Sequence, residues 1–546
     1  MLSSIQYQTK TLIWVFVVIT LASIFVGVGG DMYYLMGIPF FLLLVYWTVV
    51  DFRSVFYLLL FCLPLSIEYE LPNGFGTDLP TEPLVVGLMM AFLFYVANGG
   101  RGRRMMRSNE TGGDFGSEKV LSLRDERQEG DERFYQRFVS TGQESGGLSR
   151  FYQRFVPAGQ GGVRRIAGSY GLSGFNLILF VHFCWIGLAA LYAVHPFIAF
   201  KFLLAKVWYI VTFYFLAGMV LRDKREMMKF GWVIFIPLVA MTLLTIARHS
   251  AYGFSFKDVK AVVGPYFRNH VSYACMLVVF FPYILMLRHW QARWSFKWMV
   301  LSVGILVFLV GVYFSYTRAA YVALVGAAGF YWVVRFRLTR YMVGGIVVVG
   351  LVWVTFVVNR NKFLEYAPNF KKTITHTHFD QLLTATYKLE DISTMERVYR
   401  WVAGFQMVSD RPLLGFGPNN FYDSYRSYTV TGFKTYVSKN PEHSGIHCYF
   451  LMTAVEQGLP GMVIFMALCF YGLLYGERAY HSAVDPDRRR IVMTALLSFF
   501  IILQLILIND LIETDKVGSF FFMALAILGR TRRRTKDEGR GTKDEG

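Results

Sequence analysis

The segment from His443 to Gly461 contains the residue types best suited to chemistry. His447 opens an apolar run, and Glu456 follows nine residues later, roughly 13 Å deeper at the rise of an α-helix. A neutral histidine is a natural general base, and a carboxylate inside an apolar helix indicates function by default. A structural histidine at a helix end, and a glutamate that pairs with a cation or caps the break at Gly458, are the alternatives. We predict His447 and Glu456 as catalytic residues and His443 as a further candidate.

Several arginines accompany these residues along the chain. Arg318 follows Ser-Tyr-Thr, Arg268 lies two residues before His270, and Arg397 and Arg400 lie one helical turn apart. Guanidinium groups bind phosphate oxygens in a bidentate manner, so the four arginines are predicted to bind a diphosphate, with His270 as a further candidate. The alternatives are a snorkelling interfacial arginine at 318 and an ordinary polar loop end at 268–270.

Metal and cofactor sites are not predicted. The predicted outer loops carry no Asp-x-Asp motif or dense carboxylate cluster, and the five cysteines form no Cys-x-x-Cys pair. The histidines, the glutamate and the arginines together therefore favour metal-independent and cofactor-independent transfer from a lipid-linked diphosphate. Cationic groups would stabilise the leaving diphosphate in such a reaction.

The elements that must position these residues are membrane-spanning helices. Of 546 residues, 55% are hydrophobic and only 17% are charged, whereas a soluble protein is about a quarter charged. A span needs about 20 apolar residues, and we predict an all-α polytopic protein with about 14 spans (12–14). The predicted spans are 11–29, 33–50, 54–67, 83–98, 173–194, 203–221, 229–247, 271–288, 297–315, 319–334, 341–358, 447–474, 491–508 and 517–529. The twelfth is long and is predicted to be broken near Gly458–Gly461.

The charged residues predict the orientation of these spans. The net charge of +18 lies in short basic blocks between apolar runs, which fits anionic headgroups better than nucleic acid. Basic blocks alternate with acidic loops such as 68–82 and 509–515. By the positive-inside rule both termini are cytoplasmic, and His447, Arg318 and Arg268 are predicted to lie on the extracytoplasmic face.

Two long segments interrupt the spans. The cytoplasmic insert repeats Arg133–Val139 as Arg150–Val156 and is predicted to be a disordered linker or a binder of anionic headgroups. The outer loop contains a capping box at Ser393–Glu396 that opens an amphipathic helix, followed by a Gly-rich turn. The predicted organisation is N-terminal spans (1–98), basic insert (99–172), central spans (173–358), extracytoplasmic loop domain with short helices (359–446), C-terminal spans (447–529) and disordered basic tail (530–546).

At these residues the sequence resembles the O-antigen ligase/polymerase superfamily. The family pattern is His, then Asn, Ser or Gln, then nine residues, then Gly-x-x-Gly; here His447 and Cys448 precede Gly458-Leu-Pro-Gly461, so Cys448 departs from it. The stretch around Arg318 is similar to the family's Ser-x-[Ser/Thr]-Arg-[Gly/Ala] signature, and the block from Arg397 to Gly417 is also similar. The resemblance covers about residues 170 to 510.

The resemblance implies a GT-C-like membrane glycosyltransferase in the bacterial inner membrane, with its active face in the periplasm. Its donor would be an undecaprenyl-diphosphate-linked glycan, with the histidine as base and the arginines on the diphosphate. We favour the ligase type, whose acceptor is lipid A–core or another glycan. A polymerase is the alternative within the superfamily, and a lipid-linked glycan flippase or a structural role are the alternatives outside it. A flippase would place charges along a cavity between repeated halves, and the sequence shows no such symmetry.

Overall fold

The structure is a computed structural model that describes residues 14–26, 37–70, 76–97, 174–358, 392–429 and 445–541. The chain divides into two units, one formed by residues 1–89 with 172–546 and the other by residues 90–171. Of the second unit the structure describes residues 90–97, the end of a helix. The predictions for His443, for the repeats of the insert and for residues 359–391 lie outside the described residues.

The described part of the chain is helical apart from one two-stranded sheet. In chain order its elements are α1 Trp14–Val26, α2 Ile38–Val50, α3 Phe52–Cys62, β1 Ile67–Glu70, β2 Gly76–Leu79, α4 Thr81–Ala97, α5 Gly174–Leu191, α6 Pro196–Val220, α7 Lys224–Ser250, α8 Val259–Val263, α9 His270–His289, α10 Phe296–Tyr313, α11 Arg318–Arg335, α12 Thr339–Val358, α13 Ile392–Asp410, α14 Phe421–Ser424, α15 Tyr449–Ser482, α16 Pro486–Ile506 and α17 Asp515–Gly541.

Seven of the described helices are long and apolar enough to span a membrane, namely α5, α6, α7, α9, α10, α15 and α16. With α2 and α3 counted as one bent span the number is eight. A polytopic helical membrane protein is therefore supported, whereas the predicted count of about fourteen is not confirmed. The other predicted spans also coincide with helices. Some of these helices are shorter, such as α1 and α4, and α11 has a charged residue at each end, Arg318 and Arg335.

Antiparallel packing brings the starts of several helices to one end of the spans. Along α16, Phe500 stacks on Phe330 of α11 and Gln504 Nε2 donates to the carbonyl of Ala323, so the two helices run in opposite directions. The same helix runs antiparallel to α15, because Leu496 packs at Gly476, whereas Phe499, three residues later in α16, packs at Gly472, four residues earlier in α15. The starts of α11 and α15 and the end of α16 therefore lie together, and we name this the site end.

The opposite end is held by contacts between the connecting loops. Lys224 Nζ lies 2.9 Å from Asp487 Oδ2, and Trp290 Nε1 donates to the other oxygen of that carboxylate at 2.8 Å. Glu477 accepts a hydrogen bond from the backbone N–H of Thr339. These residues lie in or beside the loops that were predicted to be cytoplasmic, so the packing groups the loops as the charge pattern predicted. The compartment that each end faces stays a prediction.

A β-hairpin at the site end departs from the all-helical prediction. Strands β1 and β2 pair antiparallel, with Ile67 opposite Leu79. Asp515, at the start of α17, fastens both flanks of the hairpin: its Oδ2 accepts hydrogen bonds from Ser66 Oγ at 2.6 Å and Thr81 Oγ1 at 3.1 Å. Within the predicted acidic segment 68–82, residues 68–70 and 76–79 therefore belong to two paired strands beside the C-terminal spans.

Candidate active site

The backbone of His447 has an unusual conformation immediately before α15. Its φ is +59°, in the left-handed region that few non-glycine residues adopt, although histidine does so more often than most. Its backbone N–H donates to Asp510 Oδ2 at 2.8 Å. Asp510 follows the end of α16, so a carboxylate from a distant loop stabilises this turn. Sparsely populated conformations of this kind persist where their surroundings determine them, and they cluster at functional sites.

The imidazole of His447 is electrically neutral. Burial lowers the pKa of His447 to about 3, and the positive charges of Arg397 and Arg400 lower it further in the same direction. Within the described ranges no side chain or backbone group forms a hydrogen bond with either ring nitrogen. A half-buried neutral imidazole with an available nitrogen can accept a proton from a hydroxyl group.

Arg400 fastens α13 to the segment that carries His447. Its side chain is buried; Nη1 donates to the carbonyl of Gly445 at 3.0 Å, and Nη2 lies 3.4 Å from Glu396 Oε2. One residue along the helix, Trp401 Nε1 donates to the carbonyl of Ile446 at 3.1 Å. The amphipathic helix predicted after the capping box therefore exists, and its buried face holds the two residues that precede His447.

Asp510 is a residue of the candidate site that no sequence motif marks. Burial raises the pKa of Asp510 to about 6, against the opposing effects of the His447 N–H and of Arg400. The only signal in the sequence was its place in the acidic segment 509–515, predicted to lie on the same face as His447. The two residues are 63 positions apart, and no local pattern links them.

Glu456 contacts the Gly-rich turn. It is 4% exposed, and its Oε1 accepts a hydrogen bond from the backbone N–H of Phe421 at 3.4 Å. The turn also pairs with the backbone of α15, since the N–H groups of Phe416 and Gly417 donate to the carbonyls of Val455 and Glu456, each at 2.9 Å. The carboxylate thus holds the turn against α15, and the catalytic role predicted for Glu456 stays a prediction.

The predicted break in the twelfth span is confirmed. Gly458 has a φ of +73° inside α15, and a Cβ at this position would lie 2.0 Å from the carbonyl oxygen of Leu413. Only glycine allows the turn to approach so closely. The backbone N–H of Leu459 donates to the carbonyl of Pro412 at 2.8 Å, so the break and the turn form one unit.

A second cationic group lies at the site end. His270 is the first residue of α9, and Thr317 Oγ1 lies 3.5 Å from its carbonyl oxygen, which places Arg318 beside it at the start of α11. Arg268 is exposed and precedes His270 by two residues. The structure therefore brings His447, Arg397 and Arg400 together and assembles Arg318, Arg268 and His270 as a separate group at the same end.

Metal ligands are not grouped in this site. Among the residues that the structure describes, no three His, Cys, Asp or Glu side chains lie close enough together to hold a metal ion. Metal independence of the reaction remains a prediction.

The match to a known family covers much of this site. Residues 303–466 match the family model described as O-antigen ligase. This part of the chain is similar to an O-antigen ligase domain. The match includes Arg318, Arg397, Arg400, His447 and Glu456, whereas Arg268, His270 and Asp510 lie outside it. The resemblance predicted from the motifs around Arg318 and His447 is thus confirmed, and it supports a glycan-transferring membrane protein. No curated protein matches the chain significantly.

Proposed function

We propose that this protein is a membrane glycosyltransferase of the O-antigen ligase type. It moves a glycan from an undecaprenyl-diphosphate carrier to a hydroxyl group of lipid A–core. The reaction takes place at the site end, which faces the periplasm of a bacterium, while both termini are cytoplasmic. The observation that carries the proposal is a neutral histidine with an available ring nitrogen, beside Arg397 and Arg400 and held by Asp510.

In the proposed reaction His447 accepts the proton of the acceptor hydroxyl. The oxygen of that hydroxyl forms a bond to the anomeric carbon of the donor glycan while the bond from that carbon to the diphosphate oxygen breaks. The undecaprenyl diphosphate leaves with the bonding electron pair, and the proton stays on the imidazole until solvent or the product phosphate removes it. Arginines stabilise the negative charge that develops on the leaving group.

The arginines divide between binding and positioning in this scheme. Arg318, Arg268 and Arg397 bind the donor diphosphate, with His270 close to the first two. Arg400 uses Nη1 and Nη2 on Gly445 and Glu396, so its contribution is to hold the His447 segment and to add positive charge beside it.

Glu456 is proposed as a positioning residue. Its buried carboxylate accepts the N–H of Phe421 and keeps the Gly-rich turn on α15, near the segment that carries the base.

The decisive experiment compares two histidine variants in vesicles that contain a lipid-linked glycan donor and lipid A–core. His447→Ala is expected to lower the rate of transfer by about 10²–10⁴-fold, because a general base is removed. His289→Ala is the matched control at the opposite end, where the side chain is exposed, and it is expected to leave the rate unchanged. Transfer by His447→Ala at the wild-type rate would show that the proposed mechanism is wrong.

The glycans of a strain that lacks the protein separate the possible roles. Loss of all glycan-capped lipid A–core supports the ligase. Loss of long chains alone indicates a polymerase, and accumulation of the donor in the cytoplasmic leaflet indicates a flippase; either result contradicts the proposal.

A further inference from the structure

Lys206 is a buried cation inside a membrane span. It lies in α6 and is 5% exposed. Its Nζ is 5.1 Å from the ring centre of Phe202, 5.8 Å from that of Tyr449 and 6.0 Å from that of Phe522. An ammonium group is costly inside a membrane unless it is compensated. The position of Lys206 therefore calls for a partner and a purpose, and neither the family motifs nor the proposed chemistry uses it.

The partner is Glu513. Lys206 Nζ lies 2.7 Å from Glu513 Oε1, which also accepts a hydrogen bond from the hydroxyl of Tyr449. Lys206 Nζ is in addition 3.4 Å from that hydroxyl oxygen. These three residues, which we name the clamp, come from α6, from the short 3₁₀ segment Leu511–Glu513 and from the first residue of α15.

The clamp lies next to the hydrogen bond that holds His447. Tyr449 is two residues after His447, and Glu513 is three residues after Asp510, whose Oδ2 accepts the His447 N–H at 2.8 Å. The clamp thus ties together the two chain segments that form this hydrogen bond. We propose that Lys206 is a positioning residue for the base: it neutralises Glu513 and so keeps Asp510 and His447 in register. The inference rests on the proposed function of His447.

The charges around the clamp give this proposal a specific signature. Glu513 is close enough to Asp510 for its negative charge to raise the pKa of Asp510, which burial already brings to about 6. Other ionisable groups face Glu513, Asp510 or Lys206 from the elements packed around them. They are His182 of α5, Tyr209 of α6, Arg400 of α13, His447 and Cys448 before α15, and Tyr449 and Glu456 within α15.

Loss of the positive charge of Lys206 is expected to change the pKa of Asp510 in one direction. Without Lys206, the negative charge of Glu513 acts on Asp510 uncompensated, so the pKa of Asp510 rises further above its ordinary value. At a given pH more Asp510 is then protonated and accepts the His447 N–H less strongly. The acidic limb of the pH–rate profile therefore moves to higher pH.

The test uses the full-length protein in vesicles that contain the lipid-linked donor and lipid A–core. Lys206→Met is expected to lower kcat about tenfold or more, because a misplaced base is strongly penalised, while KM for the donor changes little. The acidic limb is expected to move up by about one pH unit.

Lys206→Arg keeps the charge and should retain the wild-type limb. The double variant Lys206→Met/Glu513→Gln removes both charges and should return the limb towards its wild-type position. Lys201→Met, an exposed lysine in the same helix, is the control and should match the wild type.

The outcomes separate this inference from the proposed function. An unchanged acidic limb in Lys206→Met overturns it, even if kcat falls, since a merely structural lysine would lower activity at every pH alike. A double variant with its acidic limb no closer to wild type than that of Lys206→Met also overturns it. If Lys206→Met fails to fold, Lys206→Arg and the double variant are compared with the wild type instead, and an acidic limb at clearly higher pH in either of them overturns the inference. A fully active His447→Ala defeats the proposed function, whereas an inactive His447→Ala beside a wild-type Lys206→Met defeats the inference alone.

Discussion

The two ends of the spans use ion pairs in different ways. At the site end Arg400 and Glu396 form a pair whose side chains are 6% and 8% exposed. At the opposite end the side chains of Lys224 and Asp487 are 43% and 30% exposed, and Arg490 pairs with the same carboxylate. The Arg400–Glu396 distance of 3.4 Å is longer than the 2.9 Å of either exposed pair, so proximity does not distinguish these pairs; burial does.

This difference indicates what each set contributes. Exposed pairs stabilise a protein by about 0–1 kcal/mol, so the opposite end gains a loose connection between loops at the membrane surface. A buried pair recovers little of its desolvation cost, yet removal of one partner is severe. The buried Arg400–Glu396 pair holds the segment that precedes His447, and we expect its main contribution to be the positioning of the proposed base rather than the stability of the fold.

The largest effect is expected for the buried pair. Arg400→Met leaves Glu396 buried without its arginine and frees the carbonyl of Gly445, which should cost about 3–5 kcal/mol. We expect a clearly lower Tm in detergent and loss of transfer. Arg490→Met at the opposite end is the control. Equal changes in Tm for the two variants would remove the distinction between the two ends.

The next effect is expected at the break in α15. Gly458→Ala places a Cβ 2.0 Å from the Leu413 carbonyl oxygen at a φ of +73°, so the Gly-rich turn must move away. A destabilisation of about 1–3 kcal/mol is expected, together with a lower transfer rate. Gly350→Ala in α12 meets no atom within 4 Å and should be neutral or slightly stabilising. A Gly458→Ala protein with wild-type Tm and rate would show that the turn need not dock on α15.

A smaller but diagnostic effect concerns pH. Activity is expected to fall as the pH drops through about 6, because Asp510 becomes protonated, whereas His447 stays neutral until about pH 3. Asp510→Asn should remove this limb and give a lower rate that varies little between about pH 5 and 8. Initial rates of transfer, measured in vesicles across this pH range, test the prediction. If the limb persists in Asp510→Asn, another group, His447 first, is responsible.

The smallest effect is expected at the opposite end. Lys224→Met removes an exposed pair and should change stability by about 0.2–1 kcal/mol, with an unchanged transfer rate. Thermal unfolding in detergent together with initial rates tests this. A loss of Tm comparable to that of Arg400→Met would mean that exposure does not predict the importance of these pairs.

The sequence predicted those parts of the site that are encoded locally. The motif from His447 to Gly461 predicted both the start of a span and its break, and the capping box predicted the helix that carries Arg397 and Arg400. Charge alternation grouped the loops as the packing does. Asp510 and Lys206 were not predicted, because their partners lie 63 and 307 positions away and depend on which helices pack together. The hairpin was not predicted. The predicted number of spans remains unconfirmed, since length and hydropathy alone do not determine where a helix ends.

The position of Asp510 in the chain has a consequence for biosynthesis. The histidine emerges from the ribosome 63 residues before the carboxylate that holds it, and α16 separates the two. A nascent chain that has inserted α15 but not yet α16 therefore has the proposed base without the hydrogen bond that orients it. A chain truncated before Asp510 is accordingly expected to lack the proposed transfer activity.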